Sequence, residues 1–287
     1  MQPSSDPAAR RPAVYRQDGL PHVKRIIAVG SGKGGVGKST VTVNLAHALA
    51  ARGLAVGLLD ADLYGPSIPR MLALETRLKP EFTDGAMVPP VAYGIKAMSL
   101  ALLMDDQAAI LRAPMITKAL TQMLRQTRWG TAEAPLDILL VDLPPGTGDV
   151  HLSLAQSVPL DGAILVTTPQ DVAVADAEKS AVMFQKLDIP ILGVIENMSY
   201  FTDPSGTQHR LFGEGGGVSL AKQFGTHLLA QLPIDPNLRE CADQGQNFQE
   251  KYTDSEACRM YQQIDRRFGI VHIDGKLFIL NGSRDVL

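Results

Sequence analysis

Cysteine is scarce: two in 287 residues are too few for a secreted, disulfide-stapled scaffold, and Cys241 and Cys258 lie too far apart to form a CxxC pair. A reducing cytoplasm is the expected compartment. Long apolar runs are missing as well. No stretch of about 18 apolar residues occurs, so no membrane-spanning helix is expected. Met1 to Pro21 has no apolar segment of the secretory kind and reads as a flexible tail rich in Pro, Ser, Ala and Arg. Arg10, Arg11 and Arg16 would suit an organellar transit peptide, but Asp6 and Asp18 dilute that signal. Charge of one sign is also lacking. A formal net charge of -3 supplies no general attraction to nucleic acid or anionic lipid, and neither is an expected partner.

What is present is ordinary for a soluble globular protein: 45% hydrophobic and 20% charged residues, with a mean hydropathy of +0.03. The chain reads as one α/β domain over residues 22–268, a tail over 1–21 and an extension over 269–287. Arg25 to Gly30 is a short apolar run ending in glycine. Lys38 to Arg52 then carries helical spacing at Val41, Leu45, Ala48 and Leu49. Leu54 to Leu59, Asp137 to Val141, Gly162 to Thr167 and Ile191 to Ile195 read as further strands, and Val172 to Leu187 and Gly217 to Phe224 as helices. Apolar runs without polar alternation suit parallel strands buried on both faces, so a mostly parallel sheet flanked by helices on both sides is expected. Between Ala73 and Arg128 the pattern loosens. A hairpin around Val88 to Leu100 and helices near Pro114 to Arg125 suggest an insertion covering the active face. Asp254 to Phe268 reads as helix, and Ile270 to Leu280 alternates around the turn dipeptide Asp274-Gly275.

The segment Gly32-Lys33-Gly34-Gly35-Val36-Gly37-Lys38-Ser39 sits between the first strand and the first helix. Backbone N–H groups of such a loop form a concave anion site, and the helix that follows directs its positive end at the same phosphates. Lys38 adds charge, Ser39 can ligate magnesium, and Thr40 extends the loop. A chance GxxxxGK[ST] match in a chain of this length has odds on the order of 1%, before the strand and helix context is counted. ATP and Mg2+ are therefore the expected ligands. Asp60 and Asp142 each follow an apolar strand, at the sheet edge where ligands bind. Asp142 has the Walker B position and would hold magnesium through water. Asp60 and Asp62 flank Ala61; in an extended chain they share one side, where one could orient an attacking water and the other support the metal shell.

The early Lys33 gives GKGGVGKST, which resembles the deviant Walker A class that includes MinD and ParA. Four longer strings resemble the Mrp/ApbC iron-sulfur carrier family within that class: Leu59 to Ser67 (LDADLYGPS), Asp142 to Asp149 (DLPPGTGD), Thr168-Pro169-Gln170, and Glu196-Asn197-Met198-Ser199. Arg112-Ala113-Pro114-Met115 is similar to that family's RGPM segment, and the likeness spans roughly residues 22 to 266. The resemblance implies a P-loop NTPase fold, a homodimer with ATP at its interface, and slow hydrolysis in which Lys33 reaches the partner's nucleotide. It implies iron-sulfur client or assembly proteins as partners. It makes Asp142, Pro144, Pro145, Gly146, Thr147, Gly148 and Asp149 a γ-phosphate switch. Asn197 matches an adenine-reading asparagine, with Pro233 and Asp235 in the loop beside the base; a helix-cap or turn role is the lesser alternative for Asn197, whereas for Asp235 a helix N-cap fits as well as a base contact.

The family also carries a CxxC after the NMS string, whose thiolates bridge a [4Fe–4S] cluster between subunits. Here that stretch is Phe201-Thr202-Asp203-Pro204-Ser205-Gly206-Thr207-Gln208-His209, and neither position holds cysteine. The residues identify no iron-sulfur ligands. Asp203 and His209 are poor substitutes for thiolates, and the Asp-Pro-Ser-Gly text reads as a turn. Three functions follow: an ATP-hydrolysing iron-sulfur carrier, a nucleotide-gated scaffold without its own cluster, and a ParA- or MinD-like positioning ATPase.

Overall fold

The computed structural model describes residues 19–62, 65, 67–74, 80–103, 113–267, 270–273 and 276–279. The chain opens with β1 (Ile26–Gly30), α1 (Lys38–Ala51), β2 (Val56–Asp60) and α2 (Ile68–Met71). Two short hairpins follow, β3 (Glu81–Thr83) with β4 (Ala86–Val88) and β5 (Val91–Ala92) with β6 (Ile95–Ser99), and then α3 (Leu100–Leu103) and α4 (Ala113–Gln126). Alternation then resumes with β7 (Ile138–Asp142), α5 (Asp149–Ser157), β8 (Gly162–Thr167), α6 (Asp171–Lys186) and β9 (Ile191–Glu196). A small hairpin of β10 (Phe201–Thr202) and β11 (Gln208–His209) precedes α7 (Gly216–Gln223), β12 (Leu228–Gln231), α8 (Pro236–Gln244), α9 (Phe248–Lys251) and α10 (Glu256–Arg267). The antiparallel pair β13 (Ile270–Ile273) and β14 (Lys276–Ile279) comes last among the described residues.

The central sheet has the order β12-β9-β8-β1-β7-β2-β6-β5, parallel except for β5. Every residue of β1, β2, β7 and β8 is buried, as continuous apolar strands between two helical layers require. One face packs on α4, α5, α6 and α7 through residues such as Ile116, Leu120, Leu154, Phe184 and Leu220. The other packs on α1, α2 and α10 through Val41, Leu45, Leu49, Ile68, Tyr261 and Ile264. Helix α1 is buried nearly all round its middle, which explains an apolar composition with little polar face.

Two expectations are corrected. Ile95–Ser99 is not part of an inserted hairpin alone: it pairs in parallel with β2 and widens the central sheet. The hairpin expected around Val88 to Leu100 is β5–β6, and a further hairpin, β3–β4, precedes it. Met87 of β4 bridges Thr127, and its carbonyl accepts the Arg128 N–H at 2.8 Å. Leu20, assigned to the tail, is 6% exposed within the core, because its carbonyl turns Val23 into a bridge with Leu136. Strand β12 has no counterpart in the sequence reading. Residues 1–18, Leu63, Tyr64, Pro66, Arg112 and the Asp274-Gly275 turn lie outside the described residues. Among the described residues no helix is long and apolar enough to cross a membrane.

Candidate functional site

The site forms where β1, β2, β6 and β7 end on one edge. In register, Val29 faces Asp142, Asp142 faces Asp60, and Asp60 faces Ser99, so three strands place polar residues in one row. The phosphate loop leaves β1 and is held from several sides. Ser31 Oγ donates to the Lys33 carbonyl at 3.0 Å, and the Ser31 carbonyl accepts the Gly146 N–H at 2.9 Å. A methyl group on Gly32 would sit 2.0 Å from the Asp176 carbonyl carbon, so the loop lies directly on the α6 backbone. Gly37 begins α1 at φ 82°, where an added Cβ would meet Asn197 Nδ2 at 2.2 Å. Both positions need glycine.

Asp142 is the centre of the network. Fully buried, it accepts from Lys38 Nζ at 2.7 Å and Ser39 Oγ at 2.6 Å on one oxygen, and from Thr42 Oγ1 at 2.7 Å on the other. The Walker A lysine and serine and the Walker B aspartate are thus one cluster. A hard hydroxyl oxygen next to a carboxylate is the donor set that Mg2+ favours, so Ser39 and Asp142 fit that ion. Thr42 was not foreseen, although it lies one turn after Lys38 on the same helical face. Asp60 is 2% exposed and accepts from Ser99 Oγ at 3.2 Å and the Asp62 N–H at 3.1 Å. Burial first, and then the charge of Asp142, push its carboxyl up to about 8. Asp62 is only half-buried, so the two aspartates flanking Ala61 occupy different environments.

The proposed switch starts beside this cluster. Leu143 N–H bonds the Val29 carbonyl at 3.0 Å, and Ser180 Oγ on α6 reaches the Gly146 carbonyl at 3.4 Å. Gly146 has φ 91°, Pro144 is half-buried, and Pro145, Thr147 and Gly148 are exposed. The Asp149 side chain lies outside what is described. Lys33, Gly34, Gly35 and Thr40 are all at least partly accessible, whereas Val36 is buried.

On the far side of the loop, Asn197 Nδ2 donates to the Val36 carbonyl at 2.9 Å and buttresses the phosphate loop. Asp235 caps α8, accepting the Asn237 N–H at 2.8 Å, which is the second of the two roles open to it from sequence. Half-buried Pro233 lies next to this loop because Leu232 exchanges backbone bonds with Glu196 and Ser199.

The stretch without cysteines is a tight turn. Asp203 Oδ1 accepts from Ser205 N–H, Ser205 Oγ and Thr207 N–H, and Asp203 Oδ2 pairs with His209 at 2.8 Å. Cys241 and Cys258 pack in a small apolar cluster with Phe248 and Ala257, and burial pushes both thiols up. Among the described residues no three of His, Cys, Asp and Glu come together as metal ligands.

A family model described as ParA: NUBPL iron-transfer P-loop NTPase matches residues 22–268. The chain is 48% identical over 257 residues to an iron-sulfur cluster carrier protein of Escherichia coli, covering 88% of this chain and 68% of that protein. It superposes on a nucleotide-binding protein from Archaeoglobus fulgidus in complex with ADP with a TM-score of 0.69, at 38% identity over 80% of this chain and 89% of that one. A Mg-ADP complex of the septum site-determining protein MinD from Pyrococcus horikoshii shares the fold at a TM-score of 0.65 and 24% identity, over 84% of this chain and 94% of that one.

Proposed function

The chain belongs to the family of NUBPL iron-transfer P-loop NTPases, and on that premise we propose that it is an ATP-driven homodimer serving iron-sulfur cluster delivery. The observation that carries the nucleotide part is the buried Lys38–Asp142–Ser39 cluster under the glycine loop. ATP phosphates lie in the backbone cradle of residues 32–39, and Lys38 neutralises their charge. Ser39, and Asp142 through water, would hold Mg2+, which would supply positive charge against that developing on the transferred group. Asp62, the more accessible of the two strand-end aspartates, orients the attacking water, while Asp60 supports the metal shell. Lys33 extends to the partner subunit's nucleotide and stabilises the transition state there, and residues 142–149 register the γ-phosphate.

In this reading the cluster is held by the client or assembly proteins and not by this chain. The 201–209 turn offers no thiolate, and both cysteines are packed in the interior. That donor set favours a nucleotide-gated scaffold that binds iron-sulfur client or assembly proteins without ligating a cluster itself. Two measurements test the proposal. The Lys33→Ala variant should retain ATP binding but lose hydrolysis and ATP-driven dimerisation; wild-type turnover would sink the shared site. Anaerobic reconstitution with iron and sulfide should leave neither the visible absorbance band of a stoichiometric [4Fe–4S] cluster nor its EPR signal after reduction, and a stable cluster by these measures would overturn the scaffold reading.

A further inference from the structure

Glu196 is a fully buried carboxylate at the end of β9 that the nucleotide chemistry above does not use. Its Oε1 accepts from Ser199 Oγ at 2.7 Å and Gln231 Nε2 at 2.8 Å, and its Oε2 accepts the Gly217 backbone N–H at 2.6 Å. No ion pair among the described residues includes it. A buried charge held only by neutral donors is a costly way to fill space, and an apolar side chain would pack the same volume without that penalty. The three donors belong to three separate segments: the loop after β9, strand β12, and the first turn of α7.

We propose that Glu196 is a positioning residue that joins the nucleotide side of the molecule to the 201–215 arm, so that a change of nucleotide state is passed to that arm. The inference rests on the nucleotide-gated reading above. On one side, the next residue, Asn197, is bonded to the Val36 carbonyl of the phosphate loop. The loop it belongs to is fixed by the Ser199 N–H to the Leu232 carbonyl at 2.9 Å. On the other side, α7 begins where the arm ends. Its second residue, Gly217, lies so close that an added Cβ would meet Glu196 Cβ at 2.7 Å. The carboxylate faces the positive end of α7, which strengthens the bond to the Gly217 N–H. Displacement of the Asn197 loop by nucleotide therefore pulls on the root of the arm through one side chain. No described hydrogen bond joins Glu196 to the phosphate loop, so its effect runs through Asn197 and α7.

The test places a nitroxide on the arm. Leu211 is 61% exposed, and Cys241 and Cys258 are buried, so a Leu211→Cys protein takes the label at one position. Addition of ATP and Mg2+ to this parent should change the EPR line shape. Adding Glu196→Ala should leave the ATP dissociation constant within about threefold while the line-shape response falls at least about fivefold. Glu196→Gln keeps an acceptor for the Gly217 N–H, and its amide NH2 meets Gln231 once that side chain turns its own amide oxygen inward, so it should restore most of the response. Gly217→Ala wedges the joint apart without altering charge and should also lose the response, which keeps the inference testable if Glu196→Ala does not fold. A Glu196→Ala response equal to the parent's would overturn the inference, as would a parent that binds ATP with no response. A parent that fails to bind ATP would instead overturn the nucleotide-gated function, and this inference with it.

Discussion

Two pairs of aspartate and base have almost the same length and opposite surroundings. Lys38 and Asp142 meet at 2.7 Å with side chains 6% and 0% exposed, whereas His209 and Asp203 meet at 2.8 Å with 47% and 27% exposed. At the phosphate loop the surrounding sheet excludes water, so the charges interact strongly, and loss of either partner strands the other in the interior. At the arm, solvent and salt screen the interaction. His209 first, and then the Ser205 hydroxyl, hold the Asp203 carboxyl below the usual carboxylate range, but the pair shapes a turn that its own backbone bonds already define. Distance alone does not rank the two; burial does.

The largest effect is expected at the buried member. Lys38→Ala should abolish ATP binding in a calorimetric titration and lower the unfolding free energy by on the order of 3 kcal/mol at pH 7, because Asp142 keeps only hydroxyl donors. The double variant Lys38→Ala with Asp142→Asn removes the stranded charge and should recover most of that stability while still failing to bind ATP. If the single variant unfolds at the wild-type urea midpoint, the buried pair weighs no more than the exposed one and the contrast collapses.

The same contrast explains what was legible in the sequence. Residues that act through the local chain could be read directly: the glycine loop with Lys38 and Ser39, and Asp142 and Asp60 at the ends of apolar strands. Ser99 closes its strand in the same row as those aspartates, but Ile95 to Ser99 is short, interrupted by Lys96 and tied to a hairpin partner, so its membership of the central sheet was hidden. Leu228 to Gln231 is four residues long and carries no periodicity that separates strand from loop. Contacts between a side chain and a distant backbone left no local trace. Glu196 and Gly217 are 21 residues apart, and Asn197 and Val36 are 161 apart. Asp235 illustrates a residue type with two uses, of which the local one, an N-cap, is occupied.

A polar side chain remote from both pairs shows what burial does without a partner charge. His47 lies on α1 at 3% exposure with its ring edge against Tyr93 at 5.3 Å, and burial alone lowers its pKa to about 4. The unfolded chain takes up the proton near pH 6.5 and the folded one only near pH 4. Stability is therefore complete above pH 6.5 and falls as the pH is lowered toward 4, by about 3 kcal/mol in all. His47→Phe should remove this slope, seen as a urea-midpoint difference from wild type that changes between pH 7.5 and 4.5 instead of staying constant. A variant that keeps the full acid slope would assign it to other groups.

The smallest effect is expected at the arm. His209→Ala takes away one acceptor contact of Asp203 Oδ2, but Oδ1 keeps the two backbone N–H groups and the Ser205 hydroxyl that close the turn. Since the exposed pair is screened, the melting temperature should move by less than about 3 °C, and added salt should change that difference little. Hydrolysis of ATP should stay at the wild-type rate, because Asp203 and His209 form no described bond to the phosphate loop or to the Lys38–Asp142 cluster. A drop in melting temperature as large as that of Lys38→Ala would mean that the turn, and not burial, sets the weight of an ion pair in this fold.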